Sequence, residues 1–211
     1  MAARSLRIVI LAIVAFGGGL LIARALVPAR VTLPQTERAT VLPEPRALPA
    51  LDLVSQDGRP LGADFFKGRW TIVFFGFTSC PDICPTTLAS LAQATHQLAD
   101  LPPAERPRVL LVTVDPERDV PAHLAAYVRF YDPAFLGATG TPAAVAATAA
   151  AFAVPYGKVS LPEGGYTMDH GSGIFIVGPS GGIVAYSSAP HDASTIARDY
   201  RKVLSFEGDA S

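Results

Sequence analysis

The chain contains two cysteines, Cys80 and Cys84, and both follow directly after the apolar run over 71–77. An apolar run of this length predicts a buried strand, and the turn after such a strand displays its residues at one edge of the sheet. A helix that follows the turn places the thiols near its N-terminus, where the helix dipole favours the thiolate form. Thiolates in this position bind soft metal ions or exchange disulfides.

The spacing of the cysteines narrows the alternatives. Four residues correspond to about one turn of helix, so the two sulfur atoms can converge on one metal ion or on each other. A structural disulfide between Cys80 and Cys84 would close a very short loop and would therefore constrain the unfolded chain little. The sequence thus predicts a reactive or metal-binding pair of thiols rather than a structural crosslink.

Charge and hydropathy restrict the partners. A formal net charge of −1 over 211 residues offers no basic surface for nucleic acid, so we expect no nucleic acid to bind.

The segment over 8–23 carries no charged residue and follows Arg4 and Arg7. Extended past Arg24 to Val27, it reaches the ~20 residues that a membrane-spanning helix needs. We therefore predict one N-terminal transmembrane helix.

A cleaved signal peptide is the alternative to this anchor. The small residues Ala23 and Ala25 resemble a cleavage site, although the arginine between them fits poorly. The basic residues before the apolar segment favour an N-terminus on the cytoplasmic side. We expect a single-pass protein of a bacterial inner membrane, with its C-terminal domain in the periplasm.

The segment over 28–49 has five prolines and no apolar periodicity, which predicts an extended linker. Strand and helix patterns then alternate along the chain and end in a β-hairpin and a closing helix. Strands are predicted over 51–55, 71–77, 108–114, 135–136, 156–160, 166–169, 173–177 and 183–187, and helices after Cys84, Asp119, Thr141 and Asp192. This order predicts an α/β fold with a central mixed sheet and flanking helices, and thiols after the first long central strand make it thioredoxin-like.

Three motifs occur in one order: GFTSCPDICP over 76–85, VTVDPERD over 112–119, and Asp169-His170 ahead of the apolar strand over 173–177. With these motifs the chain resembles the Sco/SenC family. The resemblance implies a membrane-tethered thioredoxin-like domain that binds copper through Cys80, Cys84 and His170. The organisation we expect is an anchor over 1–27, a linker over 28–49, a copper-binding domain over 50–206 and a short tail over 207–211.

The chemistry of these side chains agrees with the resemblance. Two thiolates and one imidazole form a soft set of few ligands that suits Cu(I). Zinc is the alternative metal, but no fourth ligand has motif support. Three aspartates are predicted to support the ligands without binding the ion, namely Asp82, Asp115 and Asp169. The remaining histidines are predicted to be solvated or to cap helices, namely His96, His123 and His191.

Two functions remain open at this stage. The first is a copper carrier, for which the resemblance implies delivery to the CuA site of cytochrome c oxidase subunit II. The second is a thiol-disulfide reductase that keeps the cysteines of that site reduced, with Cys80 attacking and Cys84 resolving. His170 favours the carrier, because disulfide exchange needs no third ligand. The chain is thus expected to be a metallochaperone rather than an enzyme, and to need a copper donor or a thiol reductant.

Overall fold

The computed structural model describes residues 16–19, 32–62 and 64–209. The chain divides into two compact units, Met1–Thr32 and Leu33–Ser211. In the first unit, residues 16–19 are helical. The rest of the predicted anchor and the start of the predicted linker lie outside the described residues. Within the described part of the chain, no helix has both the length and the apolar character needed to cross a membrane.

The second unit is built on an eight-stranded mixed sheet with a separate two-stranded hairpin. The strands are β1 Ala39–Ala47, β2 Leu53–Ser55, β3 Pro60–Leu61, β4 Thr71–Gly76, β5 Arg108–Thr113, β6 Leu136–Thr139, β7 Tyr156–Ser160, β8 Tyr166–His170, β9 Ile174–Val177 and β10 Gly182–Ser187. The large sheet has the order β1-β10-β9-β4-β5-β6-β2-β3, and β7 pairs with β8. Strands β4, β5 and β6 run parallel, whereas the other neighbours are antiparallel. The predicted central mixed sheet is confirmed.

Four helices flank this sheet, and two of them begin at the capping residues that the sequence predicted. They are α1 Ile83–Gln97, α2 Pro121–Tyr131, α3 Pro142–Ala151 and α4 Ala193–Asp209. The hydroxyl of Thr141 accepts a hydrogen bond from the Ala144 amide at 3.1 Å at the start of α3. The Asp192 carboxylate accepts one from the Thr195 amide at 2.9 Å at the start of α4. The predicted first residues of both helices are therefore confirmed.

The core lies around the two central parallel strands. All six residues of β4 are buried, as are five of the six in β5. Leu88 and Leu91 of α1 and Leu124 and Val128 of α2 have no exposed surface. Burial on both faces explains why the central strands are continuous apolar runs rather than alternating ones. The same burial fixes the end of β4, from which the cysteine segment departs.

The predicted linker over 28–49 is wrong for its second half, because residues 39–47 form strand β1 and pair with β10. Two prolines of this stretch lie at the register shift between Val41 and Arg46 on an edge strand, where a missing amide proton disturbs few sheet hydrogen bonds. The Asp199 carboxylate of α4 also accepts hydrogen bonds from the amides of residues 37, 38 and 39 at 2.7, 2.8 and 2.9 Å. The folded domain therefore begins before residue 50.

The predicted tail over 207–211 also differs from the structure at its start. Helix α4 continues to Asp209, and Phe206 still packs against the core. A partly buried aromatic side chain near the end of an amphipathic helix stabilises the last turn.

Candidate metal centre

The two cysteines differ in depth although they lie four residues apart. Strand β4 ends at Gly76, a short loop carries Cys80, and Cys84 is the second residue of α1. Cys84 is fully buried and Cys80 is half-buried, and both are free thiols. The backbone amide of Cys84 points to the Cys80 sulfur at 3.4 Å. This contact between the first turn of α1 and the preceding loop therefore holds the Cys80 sulfur close to Cys84.

Gly76 makes room for the buried thiol. A Cβ atom at this position would lie 2.9 Å from Cys84 Sγ, a distance that real Cβ contacts essentially never show. It would also lie 3.0 Å from the Phe74 ring and 3.2 Å from the Leu111 side chain. A glycine at the end of β4 is thus what allows Cys84 Sγ to sit against the sheet.

His170 reaches the cysteines from the end of β8. Its Nε2 lies 3.4 Å from Cys84 Sγ. Its ring packs edge-on against Phe77 and Phe74, with centroid distances of 5.8 and 6.2 Å. The hairpin, which is separate from the large sheet, therefore brings a residue that is 86 positions away in sequence onto the cysteine helix.

A backbone contact sets the proton position on this imidazole. Nδ1 of His170 lies 3.0 Å from the carbonyl oxygen of Gly171. A carbonyl only accepts hydrogen bonds, so Nδ1 carries the proton in the neutral ring and Nε2 presents a lone pair toward the thiols. This arrangement is the usual one for a metal-binding histidine, whose other nitrogen donates to a fixed acceptor.

The sulfur atoms of Cys80 and Cys84 and one ring nitrogen of His170 all lie within 4.8 Å of one another. Metal bonds of about 2.0–2.3 Å place the ligands of a shared ion about 4 Å apart, so small side-chain movements would bring all three onto one ion. Within the described residues this is the one group of three such side chains that could hold a metal. The structure therefore brings together the three residues that the motifs predicted as ligands.

Burial raises the pKa of the Cys84 thiol, and the neighbouring Cys80 sulfur raises it further. The sequence argument from the helix dipole favoured a thiolate, but desolvation of a fully buried sulfur outweighs it at Cys84. A cation bound here would displace the thiol proton, because metals bind the thiolate form.

Two of the predicted supporting aspartates lie away from the ligands. Asp82 is exposed at the start of α1, and its carboxylate makes no capping hydrogen bond. Asp169 is also exposed, because neighbouring residues of a strand point to opposite faces and His170 points inward. Neither belongs to the group within 4.8 Å.

Asp115 is buried in a network with Tyr166 and Arg118. Its carboxylate accepts a hydrogen bond from the Tyr166 hydroxyl at 2.9 Å and pairs with the guanidinium of Arg118. That guanidinium lies 4.1 Å from the Tyr166 ring centroid and 5.9 Å from the Phe77 ring centroid. Asp115 thus supports the aromatic packing around His170 rather than approaching the thiols.

Sequence reasoning missed the role of Asp119, which has no exposed surface. Its carboxylate accepts hydrogen bonds from the Thr78 amide at 3.0 Å, the Thr78 hydroxyl at 2.5 Å and the Thr113 hydroxyl at 2.6 Å. These bonds tie the loop that carries Cys80 to the end of β5. Asp119 is the last residue of the VTVDPERD motif, and this was the available signal, but the sequence pattern indicates only that it precedes a helix.

A thioredoxin-like domain whose central strand ends at two cysteines and a facing histidine defines a class of small α/β proteins with a three-ligand site. The family model described as SCO1/SenC matches residues 42–205, and the chain belongs to this family.

Three similar proteins illustrate the relationship. A candidate copper-binding protein of Stutzerimonas stutzeri is 37% identical over 170 residues, which are 79% of this chain and 81% of that protein. The mitochondrial SCO2 homologue of Bos taurus is 36% identical over 151 residues, covering 71% of this chain and 57% of its own length. The crystal structure of Arabidopsis thaliana ScoI with copper bound is similar with a TM-score of 0.69 and 28% identity, covering 75% of this chain and 98% of that one.

Proposed function

We propose that this domain binds copper through Cys80 Sγ, Cys84 Sγ and His170 Nε2 and passes the ion to a protein acceptor. The observation that carries the proposal is the convergence of these three atoms within 4.8 Å. The proton on Nδ1 is held by the Gly171 carbonyl, so the lone pair that faces the thiols is available for a metal.

The chemistry of the ligand set favours copper as the cargo. Two thiolates and an imidazole suit Cu(I), whereas structural zinc is almost always held by four ligands. An ion with three ligands keeps an open position, so an incoming thiolate or imidazole can attack it and take it away. The copper-bound structure of the similar Arabidopsis protein supports the same choice of metal.

We infer that the acceptor is the CuA site of cytochrome c oxidase subunit II. Membership of the SCO1/SenC family supports this acceptor. The apolar N-terminal segment supports tethering of the domain to a bacterial inner membrane, with the site on the periplasmic side. A copper donor is needed on the same side of the membrane.

The test is a Cu(I) titration of the reduced protein against a chromophoric chelator. Wild type should take up one equivalent. His170→Ala should lose at least about a hundredfold in affinity, because even changes to groups behind a metal ligand cost 10–100-fold. His96→Ala is the matched control, since His96 is an exposed histidine on α1 and should leave the affinity unchanged. Absence of Cu(I) uptake by the wild type, or equal affinities for both variants, would contradict the proposal.

A specific observation also favours thiol-disulfide exchange as a second function. Cys80 is the more accessible thiol and Cys84 lies behind it in α1, which is the arrangement of an attacking and a resolving cysteine. The Cys80 thiolate would attack a partner disulfide, form a mixed disulfide and release one partner thiolate. The Cys84 thiolate would then attack Cys80 Sγ and release the second. The partner gains two electrons, and a thiol reductant must afterwards reduce the Cys80–Cys84 disulfide.

The two functions separate at His170. His170→Ala should retain reduction of a model disulfide while losing copper, whereas Cys84→Ser should lose both. Assembly of the oxidase in cells that carry each variant then identifies the function that matters. Loss of assembly in Cys84→Ser alone would favour the reductase, and loss in both variants would favour the copper carrier.

A further inference from the structure

The segment that follows His170 is attached to the cysteine helix through His191. Nε2 of His191 lies 2.7 Å from the carbonyl oxygen of Ser172, two residues after the predicted ligand. The backbone carbonyl of His191 in turn accepts a hydrogen bond from the Ser90 hydroxyl of α1 at 3.0 Å. One residue therefore connects the segment that carries His170 with the helix that carries Cys84.

This connection acts on the short segment that joins the hairpin to the large sheet. Ser172 stands between Gly171 and Gly173, and glycine restricts the backbone less than any other residue. The segment lies between the end of β8 in the hairpin and the start of β9 in the large sheet. His170 pairs with Tyr156, and the Gly171 amide donates to the Pro155 carbonyl at 2.9 Å, so strand pairing fixes His170 relative to β7. Within the described residues the hairpin shares no strand pairing with the large sheet, so the contact at Ser172 is what ties its end to the helix that carries Cys84.

The chemistry of the contact assigns the donor. The Ser172 carbonyl can only accept, so His191 Nε2 carries the proton in the neutral ring. The ring is half-buried, and Nδ1 has no hydrogen-bond partner within the described residues. A side chain without a hydrogen-bond donor at position 191 could not bind the Ser172 carbonyl.

We propose that His191 is a positioning residue that holds His170 within reach of the two thiols. The proposal rests on the proposed copper function, since positioning the third ligand matters only if an ion binds there. His191 itself touches neither thiol nor ion.

The test is a mutant cycle on Cu(I) affinity. His191→Leu removes the donor and should weaken Cu(I) binding about tenfold, the effect of losing roughly one hydrogen bond. His191→Gln keeps an amide donor near the position of Nε2 and should restore most of the affinity. In a His170→Ala background, His191→Leu should have no further effect, because its influence passes through His170. Equal loss in both backgrounds, or no loss in the wild-type background, would overturn the assignment.

A measurement without copper keeps the two proposals apart. In the reduced, metal-free protein, ¹⁵N relaxation should show increased motion of the Ser172 and Gly173 amides in His191→Leu and in Ser90→Ala, but not in His96→Leu. Unchanged order parameters in both of the first two variants would overturn the positioning role. If wild type took up no Cu(I) but these amides became mobile as expected, the copper function would fail while the structural tie remained.

Discussion

The substitution Gly76→Ala tests whether the depth of Cys84 matters for the site. The new methyl group would lie 2.9 Å from Cys84 Sγ, 3.0 Å from the Phe74 ring and 3.2 Å from the Leu111 side chain. All three neighbours are fully buried, so none can move into solvent to relieve the overlap. We expect Cys84 Sγ to be pushed away from the sheet and therefore away from His170 Nε2.

The size of the effect follows from the crowding. Overpacking a buried position usually costs about 1–3 kcal/mol of unfolding free energy, which for a domain of this size lowers the melting temperature by about 2–12 °C. Cu(I) affinity should fall more than tenfold in addition, because displacing one of three ligands weakens the other two bonds. The two effects are measured separately by thermal unfolding of the metal-free protein and by chelator competition.

Gly137→Ala provides the matched control. Gly137 is also buried, and the new Cβ would lie 3.1 Å from the Leu124 Cβ and 3.5 Å from the Val128 side chain. The substitution therefore crowds the core without touching a thiol. It should lower the melting temperature without changing Cu(I) affinity. If Gly76→Ala lost stability but bound Cu(I) as tightly as Gly137→Ala, the idea that Gly76 sets the thiol position would be wrong.

Two further predictions concern groups behind the ligands. Asp119→Asn replaces an acceptor that holds Thr78 and Thr113 with a group that also donates, and it should lower the unfolding free energy by about 1–3 kcal/mol in urea titrations; an unchanged midpoint would refute this role. Burial lowers the pKa of His191 in the folded state. Above about pH 6.5 the imidazole is neutral in both the folded and the unfolded chain, so it does not change the unfolding free energy with pH. Below that pH the unfolded chain binds a proton that the folded chain does not, so the unfolding free energy falls. Wild type should therefore lose more stability than His191→Gln between about pH 7 and pH 5, and equal losses would contradict this reasoning. The charged side chains that line the same cavity as His191 are Arg38, Asp192 and Asp199.

The sequence was sufficient to predict the parts of the site that depend on local patterns. The apolar run over 71–77 predicted β4, and the cysteine spacing predicted that the sulfur atoms could converge. His170 was predicted to be a metal ligand from the Asp169-His170 motif and not from any hydrophobic periodicity. The structure places it at the end of a hairpin, a position that the strand pattern over 156–169 nearly predicted.

The parts that could not be predicted depend on contacts between distant segments. Strand β1 was missed because its prolines resemble a linker, and only pairing with β10 shows that they occupy a tolerated edge position. The roles of Asp119 and His191 depend on which carbonyls and hydroxyls the fold brings to them. The burial of Cys84 likewise depends on Gly76 and on the packing of α1, and this burial raises the pKa of the thiol, an effect that the helix-dipole argument alone does not include.

The unequal depth of the three ligands gives the proposed copper transfer an order. Cys84 is fully buried behind β4, whereas Cys80 and His170 remain half-buried at the surface. An acceptor thiolate or imidazole can therefore approach a bound ion only from the side of Cys80 and His170. Each incoming ligand would displace one of these two first, and Cys84 would release the ion last.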